Sequence, residues 1–180
     1  MTRVLVTMAE GFEEIEALTI VDVLRSGGVE VVMAALGELA VKGAHGIVVM
    51  ADAALKDVTG QPFDALVLPG GGPGAARLRD DVRVQALIKS YYSAGKLVAA
   101  ICAAPQALQA AGVLKGKRVT AYPGTDVSSG HFVEEPVVED GHLITSRGPA
   151  TAIAFALALV RRLAGATIAD KLAQGMLVPR

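Results

Sequence analysis

The chain has 180 residues, of which 52% are hydrophobic and 19% are charged. This length predicts one domain over residues 1–180, and the composition excludes a disordered tail and a coiled coil. The 17 Lys and Arg residues balance 18 Asp and Glu residues with no block of like charge, which argues against a nucleic-acid-binding surface.

Short β-branched runs alternate along the chain with Ala- and Leu-rich segments of helical length, a pattern typical of βαβ units on a parallel sheet. Four nearly continuous apolar runs predict strands covered on both faces, at residues 4–8, 29–35, 65–68 and 97–101. Four helices are predicted at residues 13–26, 82–94, 103–111 and 149–164. Short strands between turns over residues 119–145 predict a small antiparallel excursion at one edge. The fold class is therefore α/β with a mostly parallel central sheet.

The longest candidate for a membrane span is the apolar run at residues 152–160, which ends at Arg161 and Arg162. A span needs about 20 residues, so we expect a buried helix instead. The chain opens on a strand-like run rather than a signal segment, and its single cysteine cannot form an internal disulfide. We therefore expect a cytoplasmic protein without a membrane partner.

A glycine-rich turn at residues 69–75 leaves the carboxyl end of the predicted strand 65–68, where open α/β sheets bind ligands. Its glycines match a dinucleotide-binding pattern only weakly, because residues 84–102 contain no Asp or Glu for the ribose and Pro73 has no backbone amide. Two interpretations remain: the bare N–H groups converge on a developing oxyanion, or the segment is only a tight turn.

The lone cysteine, Cys102, closes the predicted strand 97–101 and is followed at once by a helical run. Backbone amides at a helix start stabilise an anion, so this elbow is expected to lower the thiol pKa and populate the reactive thiolate. A lone cysteine in an apolar run is more often a small buried hydrophobe. The small neighbours Ala100, Ala103 and Ala104 leave the approach open, which favours a nucleophile.

Three carboxylates, Glu13, Glu14 and Glu16, occupy the opening turn of the first helix. Complementarity to the helix dipole is the simple explanation. Alternatively, one of them faces inward, where a partly apolar pocket would hold its proton to higher pH and let it shuttle a proton to a thiolate. The pattern alone does not select Glu16.

Four ordered motifs together resemble the DJ-1/ThiJ/PfpI superfamily, including its deglycase-like members, over essentially the whole chain. They are Gly-Phe-Glu-Glu-Ile-Glu at 11–16, Leu-Pro-Gly-Gly at 68–71, Ala-Ala-Ile-Cys-Ala-Ala-Pro at 99–105 and Thr-Ser-Arg-Gly-Pro at 145–149. The resemblance implies a flavodoxin-like three-layer sandwich, usually homodimeric, with no metal or cofactor. It implies that Cys102 is a nucleophile on a strained elbow and that Glu16 is its protonated partner. It also implies an oxyanion site formed by the backbone of Gly70 and Gly71 and the amide of Ala103.

Two positions depart from the family pattern. Protease-like and large chaperone members carry histidine after the cysteine, whereas this chain has Ala103, so a Cys-His dyad is absent and a protease is disfavoured. Nearer relatives often carry a histidine close to the reacting pair where this chain has Tyr122, so proton transfer is left to Glu16 or water, and Tyr122 and His45 are candidates for a supporting role beside the pair. The three histidines of the chain are expected at the surface: His45, His131 and His142. For His45 a reach across a dimer interface into the neighbouring pocket stays open.

Three functions compete on this evidence. The first is a glutathione-independent glyoxalase or deglycase in which Cys102 attacks methylglyoxal, or an early adduct of this reactive aldehyde, with a stress-protective role. The second is an oxidative-stress sensor in which Cys102 is oxidised to a sulfinic acid that protonated Glu16 holds. The third is a chaperone-like or structural dimer, which would be indifferent to substitution of both residues.

Overall fold

The computed structural model describes residues 2–179, which fold as a twisted sheet between two layers of helices. The strands are β1 Arg3–Met8, β2 Glu30–Ala35, β3 Ala40–Lys42, β4 Val48–Met50, β5 Ala53–Ala54, β6 Ala65–Leu68, β7 Leu97–Ile101, β8 Arg118–Val119, β9 His131–Phe132, β10 Val137–Asp140 and β11 Leu143–Ser146. The helices are α1 Glu14–Ser26, α2 Leu55–Val58, α3 Gly72–Asp80, α4 Val82–Ser93, α5 Pro105–Ala110, α6 Ala152–Ala164 and α7 Ala166–Gly175.

The main sheet has seven strands in the order β10-β11-β7-β6-β1-β2-β5. All neighbouring pairs are parallel except β10 and β11, which pair antiparallel at one edge. This arrangement confirms the predicted α/β class with a mostly parallel sheet and a small antiparallel edge. It also places the carboxyl ends of β7, β6 and β1 side by side.

Each central strand contributes to two hydrophobic cores because its side chains alternate between the faces of the sheet. On β1, Val4, Val6 and Met8 join the core that contains Phe155 of α6, whereas Leu5 joins the core on the other face. Continuous apolar runs are therefore required, and they are the pattern from which the strands were predicted.

The predicted helices form with small shifts at their starts. α1 begins at Glu14, and Glu13 is its N-cap, with a side chain that accepts a hydrogen bond from the Ile15 amide at 3.4 Å. The helix expected from residue 103 begins only at Pro105, so a turn separates it from Cys102. Pro149–Thr151 is a 3-10 turn that precedes α6.

Other elements were not predicted from the sequence. The glycine-rich turn continues directly into α3, and a hairpin of β3 and β4 stands apart from the main sheet. Within the segment expected to be antiparallel, β8 and β9 form a separate parallel pair. Over residues 2–179, no helix combines the length and the apolar character needed to cross a bilayer.

Candidate active site

The site lies where three neighbouring strands of the sheet end. Cys102 follows β7, Gly70 lies two residues beyond β6, and Glu16 lies in the first turn of α1, which follows β1. Because β7, β6 and β1 are adjacent and parallel, residues far apart in sequence meet at one edge. The structure thus brings together the cysteine, the glycine loop and one of the three candidate carboxylates.

Cys102 occupies a strained backbone position. Its φ angle is 65°, in the left-handed region that residues other than glycine rarely adopt. Two hydrogen bonds hold this conformation: the Cys102 amide donates to Ser146 O and its carbonyl accepts from the Tyr122 amide, each at 2.9 Å. The elbow turns the side chain out of the sheet at the strand end, yet the residue is only 8% exposed.

Glu16 is fully buried beside Cys102. Its Oε2 accepts a hydrogen bond from the Gly70 amide at 2.9 Å, and hydrogen bonding to the Cys102 side chain acts to lower its pKa. The other oxygen, Oε1, has no N–H or O–H partner within the described part of the chain. A buried carboxylate with so few donors is costly to ionise, so this group favours its protonated form.

Gly70 leaves the space in which the pair meets. A Cβ at this position would collide with the Glu16 carboxylate and with Cβ of Cys102. Gly71 has a φ angle of 93°, and a Cβ there would collide with the backbone of Gly11 and Glu13. The loop after β6 therefore packs backbone against backbone on the loop after β1, and the Glu13 amide donates to Gly70 O at 2.9 Å.

Burial dominates the ionisation of the pair. It raises the pKa of Glu16 to about 7, against hydrogen bonds from Cys102 and Gly70 that lower it. Burial, followed by the charge and hydrogen bonding of Glu16, raises the pKa of the Cys102 thiol to about 12, although the amides of Gly71 and Ala103 act to lower it. The expected lowering of the thiol pKa by a helix start is outweighed by burial. The helix concerned, α5, begins three residues after Cys102. Above about pH 7 the two groups therefore hold one proton between them.

The other two acidic side chains of this turn face a different neighbour, the tip of the β3–β4 hairpin. Glu14 is buried, and its carboxylate accepts hydrogen bonds from the His45 amide at 2.7 Å, the His45 Nδ1 at 2.9 Å and the Ile47 amide at 3.4 Å. Glu13 Oε2 lies 3.5 Å from the same Nδ1. Within its own chain, His45 therefore serves the start of α1 and not Cys102, and its predicted reach into a partner's pocket stays a prediction.

Tyr122 also contacts the site in a way the sequence did not indicate. Its backbone amide, and not its phenol, bonds Cys102, while its half-exposed ring lies close to Gly148. Tyr122 and Arg147 both line a cavity of about 590 Å³. Tyr122 therefore borders the site through its backbone amide and through a ring that lines the cavity, and its supporting role beside the Cys102–Glu16 pair stays a prediction.

The motif at residues 145–149 carries a role that sequence reasoning missed. Ser146 supplies the carbonyl that holds the Cys102 amide, and the next two amides, of Arg147 and Gly148, donate to Thr151 Oγ1 at 3.2 and 3.1 Å. Thr151 Oγ1 also lies 2.6 Å from Ser146 Oγ. This role follows from the parallel pairing of β11 with β7, which brings Ser146 beside Cys102, whereas the sequence analysis expected residues 119–145 to form an antiparallel excursion.

One group within residues 2–179 brings metal-ligating atoms within 4.8 Å of one another, namely Glu13, Glu14 and His45. Its best-placed nitrogen, Nδ1 of His45, is already bonded to Glu14. The hydrogen bonds within this cluster anchor the β3–β4 hairpin to α1, and this contact explains why the three side chains lie together.

Comparison with known proteins gives consistent matches over nearly all of the chain. The sequence model of the DJ-1/PfpI family matches residues 2–162. The protein dj-1beta of Drosophila melanogaster is 42% identical over 179 residues, covering 97% of this chain and 96% of that protein. A protein named as a deglycase from Pyrococcus abyssi is 39% identical over 166 residues, covering 89% of this chain and 99% of that protein.

Solved structures match equally well. The crystal structure of Drosophila melanogaster DJ-1beta superposes with a TM-score of 0.96 at 41% identity, covering 99% of each chain. A structure described as oxidized Toxoplasma gondii DJ-1 superposes with a TM-score of 0.95 at 38% identity, covering 100% of each chain.

Proposed function

The chain belongs to the DJ-1/PfpI family, and on that premise we propose that it is a cysteine-dependent glyoxalase or deglycase that acts without glutathione on methylglyoxal or its early adducts. The observation that carries the proposal is the buried pair of Cys102 and Glu16, which meets beside Gly70 at the strained elbow. We place this activity in the cytoplasm, where a lone reactive thiol stays reduced.

The reaction begins when Cys102 passes its proton to Glu16 and the thiolate adds to the aldehyde carbon, C1, of methylglyoxal. The amides of Gly71 and Ala103 support the sulfur, and the new oxyanion takes the proton from Glu16 to give a hemithioacetal. Proton transfer then removes hydrogen from C1 and delivers hydrogen to C2, so C1 is oxidised to a thioester as C2 is reduced to an alcohol. Water hydrolyses the thioester to lactate and restores the thiol, and no external oxidant or reductant is needed.

A methylglyoxal adduct on an amine reaches the same hemithioacetal by a different first step. The thiolate forms its bond to C1 as the C–N bond breaks, and the nitrogen leaves with the proton that Glu16 donates. The same hemithioacetal results, and the amine is released unmodified. Glu16 is suited to this proton transfer because its raised pKa of about 7 lies close to neutral pH.

The direct test is lactate formation from methylglyoxal in the absence of glutathione. Cys102→Ser should abolish the enzyme-dependent rate, whereas Glu10→Gln, a control at an exposed carboxylate before α1, should leave it unchanged. Full activity of Cys102→Ser would refute the proposal.

A second candidate function, an oxidative-stress sensor, is favoured by the same thiol and by the likeness to a DJ-1 structure described as oxidized. One peroxide converts the thiolate to a sulfenic acid with release of hydroxide, and a second converts this to a sulfinic acid with release of water. Mass spectrometry after mild peroxide treatment should find two added oxygens on Cys102. An unmodified Cys102 would remove this function.

We also propose that the chain forms a homodimer through α1 and the β3–β4 hairpin. Five large apolar side chains on these elements are exposed: Ile15, Leu18, Ile47, Val48 and Met50. A patch of this kind marks an interaction site, and Glu14 ties the hairpin to α1 so that the two elements form one face. Met50→Lys should shift the sedimentation coefficient from dimer to monomer; a monomeric wild-type protein would contradict the proposal.

A further inference from the structure

The turn that holds the strained Cys102 is itself held by one hydroxyl group. Ser146 ends β11, and its carbonyl accepts the hydrogen bond from the Cys102 amide at 2.9 Å. The next two amides, of Arg147 and Gly148, both donate to Thr151 Oγ1, at 3.2 and 3.1 Å. The chain on the far side of Ser146 is therefore fixed at a single side-chain oxygen.

The hydrogen bonds of the two hydroxyl groups in this turn can be assigned completely. A hydroxyl oxygen has two lone pairs and one proton. The two amides use both lone pairs of Thr151 Oγ1, so the Ser146 hydroxyl donates elsewhere, to Pro136 O at 2.7 Å. Ser146 Oγ then accepts the Thr151 proton at 2.6 Å, a shorter contact than the 2.9 Å between Thr151 Oγ1 and Gly148 O. Both groups are satisfied in one arrangement, which favours a single conformation of the turn.

Thr151 is a rigid support because it directly precedes α6. It is the last residue of the 3-10 turn, and its own amide donates to Gly148 O at 2.9 Å. Ala152 and Phe155, which follow in α6, are fully buried in the core. A group on a packed helix keeps its position better than one on a free loop. The hydroxyl of Thr151 therefore ties the end of β11 to the hydrophobic core.

The strain at Cys102 requires such a support. A cysteine with a φ angle of 65° relaxes toward negative φ unless its surroundings prevent it, and Ser146 O holds the Cys102 amide only while the end of β11 keeps its direction. We propose that Thr151 is a positioning residue for the nucleophile, acting through Ser146 to keep Cys102 at the angle that directs its thiol toward Glu16. The inference rests on the proposed function for its kinetic readout.

The kinetic test compares Thr151→Val, which loses the hydroxyl but keeps the branched shape, with Thr151→Ser, which keeps the hydroxyl. Thr151→Val should lower kcat for methylglyoxal about tenfold and change KM by less than about twofold, because only the angle of the attacking sulfur alters. Thr151→Ser should stay within about threefold of the wild-type kcat.

Thr7→Val is the matched control for the loss of a threonine hydroxyl. Thr7 lies on β1 and is fully buried, and its Oγ1 has no hydrogen-bond partner among the described residues. Its removal breaks no hydrogen bond, so kcat should stay at the wild-type value. Equal kcat values in Thr151→Val and Thr7→Val would overturn the inference.

The pH profile of kcat/KM distinguishes positioning from a general loss of stability. Hydrogen bonding to Cys102 lowers the pKa of Glu16, so a thiol that turns away should move the midpoint above about 7. A variant that is only less stable keeps the wild-type midpoint while it stays folded. A wild-type midpoint in folded Thr151→Val would contradict the positioning role.

NMR separates this inference from the proposed function, because the backbone carbon chemical shifts of Cys102 report its φ angle without turnover. These shifts should leave the left-handed range in Thr151→Val and stay there in Thr151→Ser and Thr7→Val. Unchanged shifts in Thr151→Val would overturn the positioning role, whereas a wild-type protein that forms no lactate would overturn the proposed function alone. If Thr151→Val does not fold, Ser146→Ala, which loses the acceptor of the Thr151 proton, must show the same movement of the Cys102 shifts, and its absence would overturn the inference.

Discussion

Glu14 and Glu16 lie two positions apart at the start of α1, and both are buried, yet their pKa values move in opposite directions. Burial opposes ionisation of both. For Glu14 it is outweighed by hydrogen bonds from His45 and Ile47, which lower the pKa, whereas Glu16 has only the Gly70 amide and the thiol, and its pKa rises to about 7. Burial alone therefore does not decide the charge of a carboxyl group. The number of donors that other segments bring to it does.

The difference between Glu14 and Glu16 should be largest in the catalytic rate. Glu16→Gln should lower kcat/KM for methylglyoxal about 100-fold, because the group that accepts the thiol proton and then returns it to the substrate is lost. In the wild type kcat/KM should rise with pH through about 7, as the Glu16–Cys102 pair passes from two protons to one, and Glu16→Gln should lose this step. Glu14→Gln should keep both the rate, within about threefold, and the midpoint. A midpoint moved equally by both substitutions would show that the two carboxylates act as one group.

A second change tests the space around Glu16 rather than its charge. In Gly70→Ala the new Cβ would collide with the Glu16 carboxylate and Cys102, so we expect a loss of about 1–3 kcal/mol of unfolding free energy and about tenfold in kcat/KM. Gly72→Ala is the matched control, since a Cβ there meets nothing within 4 Å. Denaturant unfolding and steady-state assays measure both effects, and equal behaviour of the two variants would contradict the close packing.

The pH dependence of stability should separate the two carboxylates by sign. Glu16 has a folded-state pKa of about 7 against 4.5 for an ordinary glutamate, so its stabilising contribution is complete below 4.5 and is lost as pH rises through 7. Relative to Glu16→Gln, the wild type should lose roughly 3 kcal/mol of unfolding free energy over that window.

The contribution of Glu14 has the opposite dependence, because its pKa is lowered below 4.5. It is present above 4.5 and is lost as pH falls through the folded-state value. Denaturant unfolding of wild type, Glu14→Gln and Glu16→Gln across a series of pH values would measure both trends. Parallel trends in the two variants would contradict the assignment.

The smallest effect on stability is expected at His45, the exposed partner of Glu14. Hydrogen bonding to Glu14 raises the pKa of His45, so its contribution to stability is complete below 6.5 and disappears as pH rises through the folded-state value. His45→Ala should therefore lower Tm slightly at pH 6 and still less at pH 9. His131→Ala, at another exposed histidine, is the control. A larger loss at pH 9 than at pH 6 would contradict the ion pair.

Much of this fold could be predicted because its central strands are almost entirely apolar. The runs in β1, β6 and β7 leave no room for a polar face, and the order of parallel strands then places Cys102, Gly70 and Glu16 at one edge. The β3–β4 hairpin escaped prediction because its strands have three residues each and are largely exposed. The helix α3 was not predicted because the glycines in its first turn are typical of a loop.

The ionisation of the site could not be predicted in the same way. The amides near Cys102 suggested a lowered thiol pKa, but the balance is decided by burial and by a carboxylate 86 positions earlier in the chain. Glu14 and Glu16 are the same residue type in the first turn of the same helix, so the sequence alone does not tell them apart. Only the fold reveals that one meets a hairpin and the other meets the cysteine.

The backbone-to-backbone contact between the loops after β1 and β6 has a practical consequence for inhibitor design. With Gly71 packed on the backbone of Gly11 and Glu13, this part of the site is bounded by main chain, which cannot move aside as a side chain can. A covalent inhibitor of Cys102 therefore needs a compact electrophile on the side of the thiol that faces this loop.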